Sequence, residues 1–325
     1  MNKNIKKLGS GNLKQAKRNK SLGGGKLWLK RILFPLVMLK RARDKYLCLH
    51  NPEKLFCIRY KSITGNSLNV NNPTTLYDKI AYMAFRTDTT EWSRLADKVH
   101  VRDYVNECGY GKYLPQLLGV WEKASDVDFD DLPNSFVIKT NNASATNILV
   151  RNKSKLDIIS TRQKLDKWLK WEYGLQTCQP HYSRIKPLIL AEEFLIDCET
   201  AKANKSLVDY KFYCINGRPM YVMVMTDREP NTHMIKVGVF DMSWNVHNEF
   251  VSDIHETADN DIKQPSSFTL MQQMAATLSK PFPFVRVDFY EINGKPIFGE
   301  MTFTPGFDTF TQAFQVELGK VCRLQ

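Results

Sequence analysis

The chain has 325 residues, 43% of them hydrophobic, 11% aromatic and 25% charged, which leaves room for two or three domains around a sizeable core. That composition excludes a disulfide-stapled module, a wholly disordered chain and a polytopic membrane protein. The net charge of +12 resembles a nucleic-acid signal until it is mapped: residues 1–45 hold 14 Lys/Arg and one acid, Asp44, and the other 280 residues hold 32 bases and 33 acids. The basicity belongs to a tail, the body is neutral, and no nucleic-acid partner is expected.

Residues 1–25 are rich in Lys, Asn and Gly and end in Gly23-Gly24-Gly25, the composition of a disordered lead. Residues 26–45 interleave Trp28, Leu29, Ile32, Leu33, Phe34, Leu36, Val37 and Leu39 with bases. Their longest uncharged run, Ile32 to Leu39, contains Pro35 and is far short of the roughly 20 apolar residues that span a bilayer. Residues 1–46 are expected to be a basic tail with an amphipathic helix, which either lies on an anionic membrane surface or packs on the body. No signal-peptide pattern is present. Residues 47–134 read as a mainly helical domain, with helices over 75–85 and 90–106, the second carrying Trp92, Leu95, Ala96, Val99, Val101, Tyr104 and Val105 at helical spacing.

From residue 135 the chain turns strand-rich. FVIK (136–139) and NILV (147–150) read as a hairpin, a polar helix is expected over 154–173, and LILAEEFL (188–195) reads as an apolar strand. Over 196–325, strands are expected at 208–215, 220–227, 235–241, 284–290 and 295–303, with one helix over 267–278. The class is α+β, with antiparallel sheets flanked by helices. Seven scattered cysteines without a C-x-x-C pair argue for free thiols in a reducing, cytoplasmic compartment. His181, His233, His247 and His255 lack metal-ligand spacing and read as structural.

The densest chemistry lies in FVRVDFYEINGKPIFGEMTFTPG (284–306), two strands joined by Asn293-Gly294. Alternation places Arg286 and Asp288 on one face of the first strand, and Phe298, Glu300 and Thr302 on one face of the second. A two-residue turn pairs Ile292 with Lys295 and sends Asp288 and Glu300 to opposite faces. A three-residue turn over Ile292 to Gly294 sets Arg286 opposite Glu300 with Asp288 diagonal to it. In that register two carboxylates and a hydroxyl offer hard oxygen ligands to Mg²⁺ carrying nucleotide phosphates, and Arg286 offers charge to an oxyanion. An exposed hairpin with a cross-strand ion pair is the other reading. Upstream, Lys139 ends a strand and precedes the small polar loop Thr140 to Asn147, which can lay backbone N–H groups over phosphates. The backbone of LAEEFL can pair with a purine edge while Asp197 or Glu199 takes ribose hydroxyls; such loops and paired glutamates also occur without any ligand.

Six blocks occur in a set order: NNPTTLYDKI, LADKVHVRDYV, LPNSFVIKTNNASATNILV, IKPLILAEEFL, VDYKFYCINGRP and the strand pair above. Together they resemble the ATP-grasp superfamily, and in wording the TupA-like ATP-grasp proteins of bacterial surface-polysaccharide and teichuronopeptide loci. The likeness covers most of residues 70–310. It implies an ATP-grasp fold in which two α+β subdomains, 135–195 with a lid and 196–325 with a metal site, clamp ATP between antiparallel sheets. It further implies that Lys98 and Lys139 contact phosphates under a lid containing Ser144, Ala145, Thr146 and Asn147. Glu192, Glu193, Leu195 and Asp197 would hold the nucleoside, the backbone of Glu193 and Leu195 taking adenine. Asp288, Glu300 and Thr302 would bind Mg²⁺, and Arg286, Lys139 and Lys211 would act on the reacting centre.

Two departures from the family pattern stand out. Ala143 and Ala145 replace lid glycines, which should stiffen the loop, and Thr302 stands where many ATP-grasp enzymes have Asn. The implied activity is that of an ATP-dependent carboxylate–amine ligase that forms an amide through an acyl phosphate and releases ADP and phosphate. Its cofactors would be ATP and Mg²⁺. Its substrates would be a uronate or acidic peptide and an amino acid or amino sugar. Residues 1–45 would touch the inner face of the cell membrane or membrane-bound polysaccharide machinery. A glycosyltransferase of the same loci and a non-catalytic nucleotide-binding scaffold are the alternatives. Tyr182, Arg184 and Lys186 are secondary candidates for an acidic substrate, and Arg228 for phosphate.

Overall fold

The computed structural model describes residues 38–40, 42–198, 206–226, 235–258 and 262–324. The expected disordered lead, the apolar segment up to residue 37, Glu199, Arg228 and His233 lie outside the described residues. Residues 38–40 and 42–50 are helical, and the elements named below all belong to one compact unit, Pro52–Gln325.

Helix α1 (Pro52–Thr64) precedes α2 (Leu76–Arg86), the helix expected over 75–85. Its start is written in the sequence. Thr75 Oγ1 accepts the Asp78 N–H at 3.2 Å and the Asp78 carboxylate accepts the Thr75 N–H at 2.9 Å, a reciprocal cap ahead of the buried stripe Leu76, Tyr77, Ile80, Met83 and Ala84. The single helix expected over 90–106 is instead two, α3 (Thr90–Ala96) and α4 (Val101–Glu107). Asp97 breaks it: the backbone turns extended (φ −74°, ψ 116°), and Oδ1 accepts the Val99 N–H at 2.8 Å and Asn141 Nδ2 at 2.9 Å. A short carboxylate competing for local N–H groups outweighs the apolar periodicity around it, and Lys98 sits in the break.

A four-stranded antiparallel sheet has the order β1-β4-β2-β3, with β1 Leu117–Trp121, β2 Phe136–Thr140, β3 Asn147–Val150 and β4 Ile189–Glu193. The expected β2–β3 hairpin is present, and β1, from the stretch expected to be mainly helical, adds an edge strand. Phe136, Ile138, Val150, Ile189 and Ala191 bury one face against Leu165 of α5 (Ile158–Leu169). The polar helix expected over 154–173 is thus shorter, starting after Asp157, whose carboxylate accepts the Ser160 N–H. A short helix, α6 (Tyr173–Thr177), follows. Alternation leaves Lys139 and Glu192 on the sheet's other face.

The second sheet has six strands in the order β10-β9-β5-β6-β7-β8: β5 Asp209–Ile215, β6 Arg218–Thr226, β7 Lys236–Asp241, β8 Glu256–Thr257, β9 Phe284–Ile292 and β10 Lys295–Thr302. Helix α7 (Phe268–Ser279) contributes Phe268, Met271, Met274 and Leu278 to a core shared with Phe212, Val285, Val287 and Phe289, each large side chain contributing about 1.5–3 kcal/mol of burial. Helix α8 (Gln312–Val321) closes the chain beside α2.

The β9–β10 register corrects both sequence expectations. Asn293 (φ 49°) and Gly294 (φ 74°) make a two-residue turn that pairs Ile292 with Lys295, so the three-residue turn does not form. Asp288 and Glu300 nevertheless meet, because Gly299 is an extra residue in β10. Phe298 pairs with Phe289 before it, and Glu300 pairs with Asp288 and Thr302 with Arg286 after it. The bulge also separates residues expected to share a face: Phe298 packs in the core with Phe289, whereas Glu300 and Thr302 join the face of Asp288. A Cβ on residue 299 would lie 3.1 Å from the Asp288 carbonyl oxygen, which is why glycine fits there.

Candidate functional site

Around Asp288 the six-stranded sheet carries a continuous ionic network. Arg286 Nε donates to Asp288 Oδ1 and Nη2 to Oδ2, both at 2.7 Å, and Lys211, directly opposite on β5, donates to Oδ2 at 2.6 Å. Nη2 of Arg286 also reaches Glu300 Oε1 and Thr302 Oγ1 at 3.0 Å, and the Thr302 hydroxyl donates to Glu300 Oε1 at 3.1 Å. Asp209 adds a third carboxylate 3.6 Å from Lys211. Burial opposes a charge on Asp288, but Arg286 and Lys211 outweigh it and hold the carboxyl below its usual value. The same pairing holds the Arg286 pKa well above its ordinary value despite burial.

The facing wall comes from the four-stranded sheet and the α3–α4 break. Lys139 Nζ lies 2.5 Å from Glu192 Oε2, and Arg102 Nη1 lies 3.2 Å from Glu192 Oε1. Lys98 Nζ donates to the Ala143 carbonyl at 2.6 Å. Enclosure pulls the Lys98 pKa down to about 8, with Glu300 raising it and Lys139 lowering it. One pocket is lined by Lys98, Arg102, Lys139 and Glu192 from this wall and by Phe298 and Gly299 of the bulge.

Residues 141–147 form a loop that is held at both ends and whose Ala143 carbonyl accepts from Lys98. Asn141 Nδ2 donates to Asp97 Oδ1 and to the Lys186 carbonyl at 3.0 Å, its Oδ1 accepts the Leu188 N–H at 2.7 Å, and the Thr140 N–H reaches the Thr146 carbonyl at 3.1 Å. Ala143 and Thr146 are buried, whereas Ser144, Ala145 and Asn147 are exposed at the tip. Ala145 has φ 58°, the left-handed region that costs an L-residue about 1–2 kcal/mol and that glycine enters freely. The glycine-to-alanine departure therefore does more than stiffen the loop: it strains it. Ala143 shows no positive φ.

Several expected residues take other positions. Glu192 is a buried counter-ion for Lys139 and Arg102. The Glu193 N–H donates to the Gln116 carbonyl at 3.0 Å and its carboxylate accepts the Gln116 N–H at 2.7 Å, so its N–H is already engaged within the protein. Asp197 Oδ1 accepts the Asn293 N–H at 3.1 Å, which ties it to the β9–β10 turn; neither it nor Leu195 lines the pocket. Arg184 is spent on Ser93 Oγ at 2.9 Å and the Thr89 carbonyl at 2.7 Å, and Lys186 pairs with Glu122 on the surface. His181 is fully buried edge-on to Trp92 and lowered to about 3 by burial and then by Arg184, consistent with a structural role.

Tyr182 is buried beside the ionic network. Burial and then the charge of Glu300 hold its phenol well above the ordinary value. Sequence reasoning missed Arg102 and Asp209. The first sat inside a presumed continuous helix, and Asp209 was hidden in an ordinary strand alternation.

For a divalent cation the donor set is suitable: Asp288 and Glu300 stand opposite one another in register, with the Thr302 hydroxyl against Glu300. Both Asp288 oxygens are engaged by cations, so a metal there requires Arg286 and Lys211 to turn to another anion. Among the described residues no three His, Cys, Asp or Glu side chains converge, so further oxygens would come from water or from a ligand such as phosphate.

A family model described as TupA-like ATPgrasp matches residues 78–322. No curated protein matches the chain by sequence. Among solved structures the chain is similar to the D-alanine–D-alanine ligase of Bacillus anthracis, at 16% identity and a TM-score of 0.41 over 68% of this chain and 59% of that one. It is also similar to the L-amino acid ligase of Bacillus licheniformis, at 14% identity and a TM-score of 0.41 over 68% and 46%, and to the ATP-grasp ligase PsnB in complex with a minimal precursor, Mg and ADP, at 11% identity and 0.37 over 73% and 59%. The chain thus spans less than two thirds of the length of each.

Proposed function

The chain belongs to the TupA-like ATP-grasp family, and on that premise we propose that it is an ATP-dependent ligase joining a carboxylate to an amine. The observation that carries this reading is the cleft itself: Lys98, Arg102 and Lys139 line one pocket with Phe298 and Gly299, the residues that precede Glu300 on β10. ATP phosphates would replace the internal partners of these cations, Ala143 O at Lys98 and Glu192 at Lys139. The Glu193 carbonyl would accept from the purine amine, and the exposed tip, Ser144 to Asn147, would cover the phosphates. Mg²⁺ held by Asp288, Glu300 and Thr302 would supply charge neutralisation on the transferring phosphoryl group.

Arg286, with Lys211 behind it, would hold the carboxylate during attack on the γ-phosphorus and then the oxyanion formed when the amine adds to the acyl phosphate. Amide formation releases phosphate and one proton to solvent. We place the substrates among uronates or acidic peptides and amino acids or amino sugars of a bacterial surface polysaccharide or its precursor. A peripheral seat on the inner face of the cell membrane belongs to the same proposal. It is supported by the charge confined to residues 1–45 and by the exposure of Leu39, Tyr46 and Leu49. No helix among the described residues is long and apolar enough to cross a membrane. The test is ADP release with pools of uronates and amines. Release that requires both pools is the expected result; turnover of a sugar nucleotide with no ADP would contradict it.

A further inference from the structure

Arg102 stands out because it contacts the nucleotide-side wall without being free to bind anything. It lies in the first turn of α4. One arm of its guanidinium, Nη2, donates to the Pro115 carbonyl at 2.7 Å, and the other, Nη1, donates to Glu192 Oε1 at 3.2 Å. The second oxygen of Glu192 belongs to Lys139. All three side chains are largely enclosed: 14% of Arg102, 19% of Lys139 and 8% of Glu192 is exposed.

A carboxylate so enclosed needs a counter-ion, and the register supplies one at once. Val137 pairs with Glu192, which sets Lys139 diagonal to it on the same face. Lys139 and Glu192 alone would make a neutral buried pair, and a lysine neutralised by its neighbour attracts phosphate weakly. With Arg102 included, two formal positive charges surround one formal negative charge, and the group presents a surplus positive charge toward the pocket.

We propose that Arg102 is a positioning residue that takes half of the Glu192 carboxylate and so leaves the Lys139 charge available to an anionic phosphate chain. The anchor on Pro115 O fixes the guanidinium, so it serves Glu192 and not the ligand. This inference rests on the nucleotide reading of the cleft and specifies what sets the strength of phosphate binding within it.

The test is a set of calorimetric titrations of the full-length chain with ADP and with adenosine, alongside thermal unfolding. Arg102→Met should weaken ADP about tenfold and leave adenosine unchanged, as expected when one charge-assisted hydrogen bond is lost. The distinguishing measurement is the double variant Arg102→Met/Glu192→Gln. It removes one charge of each sign, restores a net charge of +1 on Lys139, and should return ADP affinity to within about threefold of wild type. Arg102→Lys should retain most of the affinity. Unchanged ADP binding in Arg102→Met, equal loss for ADP and adenosine, or no rescue by Glu192→Gln would each overturn the inference in favour of a merely structural arginine. Absence of ADP binding in the wild-type chain would overturn the nucleotide reading itself, a result distinct from all of these. Should Arg102→Met unfold, Glu192→Gln alone decides: tighter ADP binding supports the inference, unchanged binding overturns it.

Discussion

The two walls of the cleft carry opposite surpluses. The wall built from β2, β4 and the α3–α4 break holds Lys98, Lys139 and Arg102 against one carboxylate, Glu192. The wall built from β5, β9 and β10 holds Lys211 and Arg286 against Asp209, Asp288 and Glu300. Each cation is already paired within the protein, but the cation-rich wall suits an anionic chain of phosphates and the carboxylate-rich wall suits a hard metal ion.

The largest way to break this comparison is on the carboxylate wall. Asp288→Asn should abolish ADP release, and it should also destabilise the fold by roughly 3–5 kcal/mol, because Arg286 and Lys211 remain buried without their shared anion. The Asp288 pKa is lowered on folding, so its contribution to stability is full above the unfolded value of about 3.9 and is lost as pH falls through the lower folded value. Acid unfolding of the wild-type chain should therefore show a loss between pH 4 and lower pH that Asp288→Asn does not show. Glu300→Gln, whose side chain is 40% exposed, should abolish activity with little change in melting temperature. A melting shift as large as that of Asp288→Asn would mean that the two carboxylates are equally structural.

A smaller effect sharpens the cation wall. Lys98 titrates at about 8, below its unfolded value, because enclosure disfavours its charge. Phosphate prefers the protonated amine, so ADP affinity should fall as pH rises from 7 to 9, and Lys98→Met should flatten that dependence. The stability term has the opposite direction: above pH 8 the half-buried amine is neutral in the folded chain, and stability should rise toward the unfolded pKa. A pH-independent ADP affinity would remove Lys98 from the phosphate site.

The smallest effect concerns the loop over residues 141–147. Ala145→Gly removes left-handed strain but adds unfolded-state freedom, so a net stabilisation of about 0.5–1 kcal/mol is expected in thermal unfolding. Ala143→Gly, buried and without positive φ, should destabilise. Equal effects at the two positions would contradict the strain.

Much of this was legible in the residues. Lys139 at a strand end, the helix that begins at Thr75, and the Arg286, Asp288, Glu300 and Thr302 set follow from alternation, helical spacing and the order of the six blocks. What alternation could not reveal is how Asp288 and Glu300 come to share a face. The turn obeys the simple Asn-Gly rule, and the register shift sits at Gly299, which has no side chain to announce it. Arg102 was hidden for a different reason: Asp97 ends a helix whose apolar spacing runs on unbroken, and only its contacts with Val99 and Asn141 explain why.

The division of labour between the walls is tested most directly by titrating ADP into the full-length chain with and without Mg²⁺, in wild type, Lys139→Ala and Glu300→Gln. Lys139→Ala should weaken ADP by about tenfold or more under both conditions, since it removes a phosphate partner. Glu300→Gln should match wild type without the metal and lose only the gain in affinity that Mg²⁺ brings. If both variants lose affinity equally with and without Mg²⁺, the two walls do not divide phosphate and metal between them.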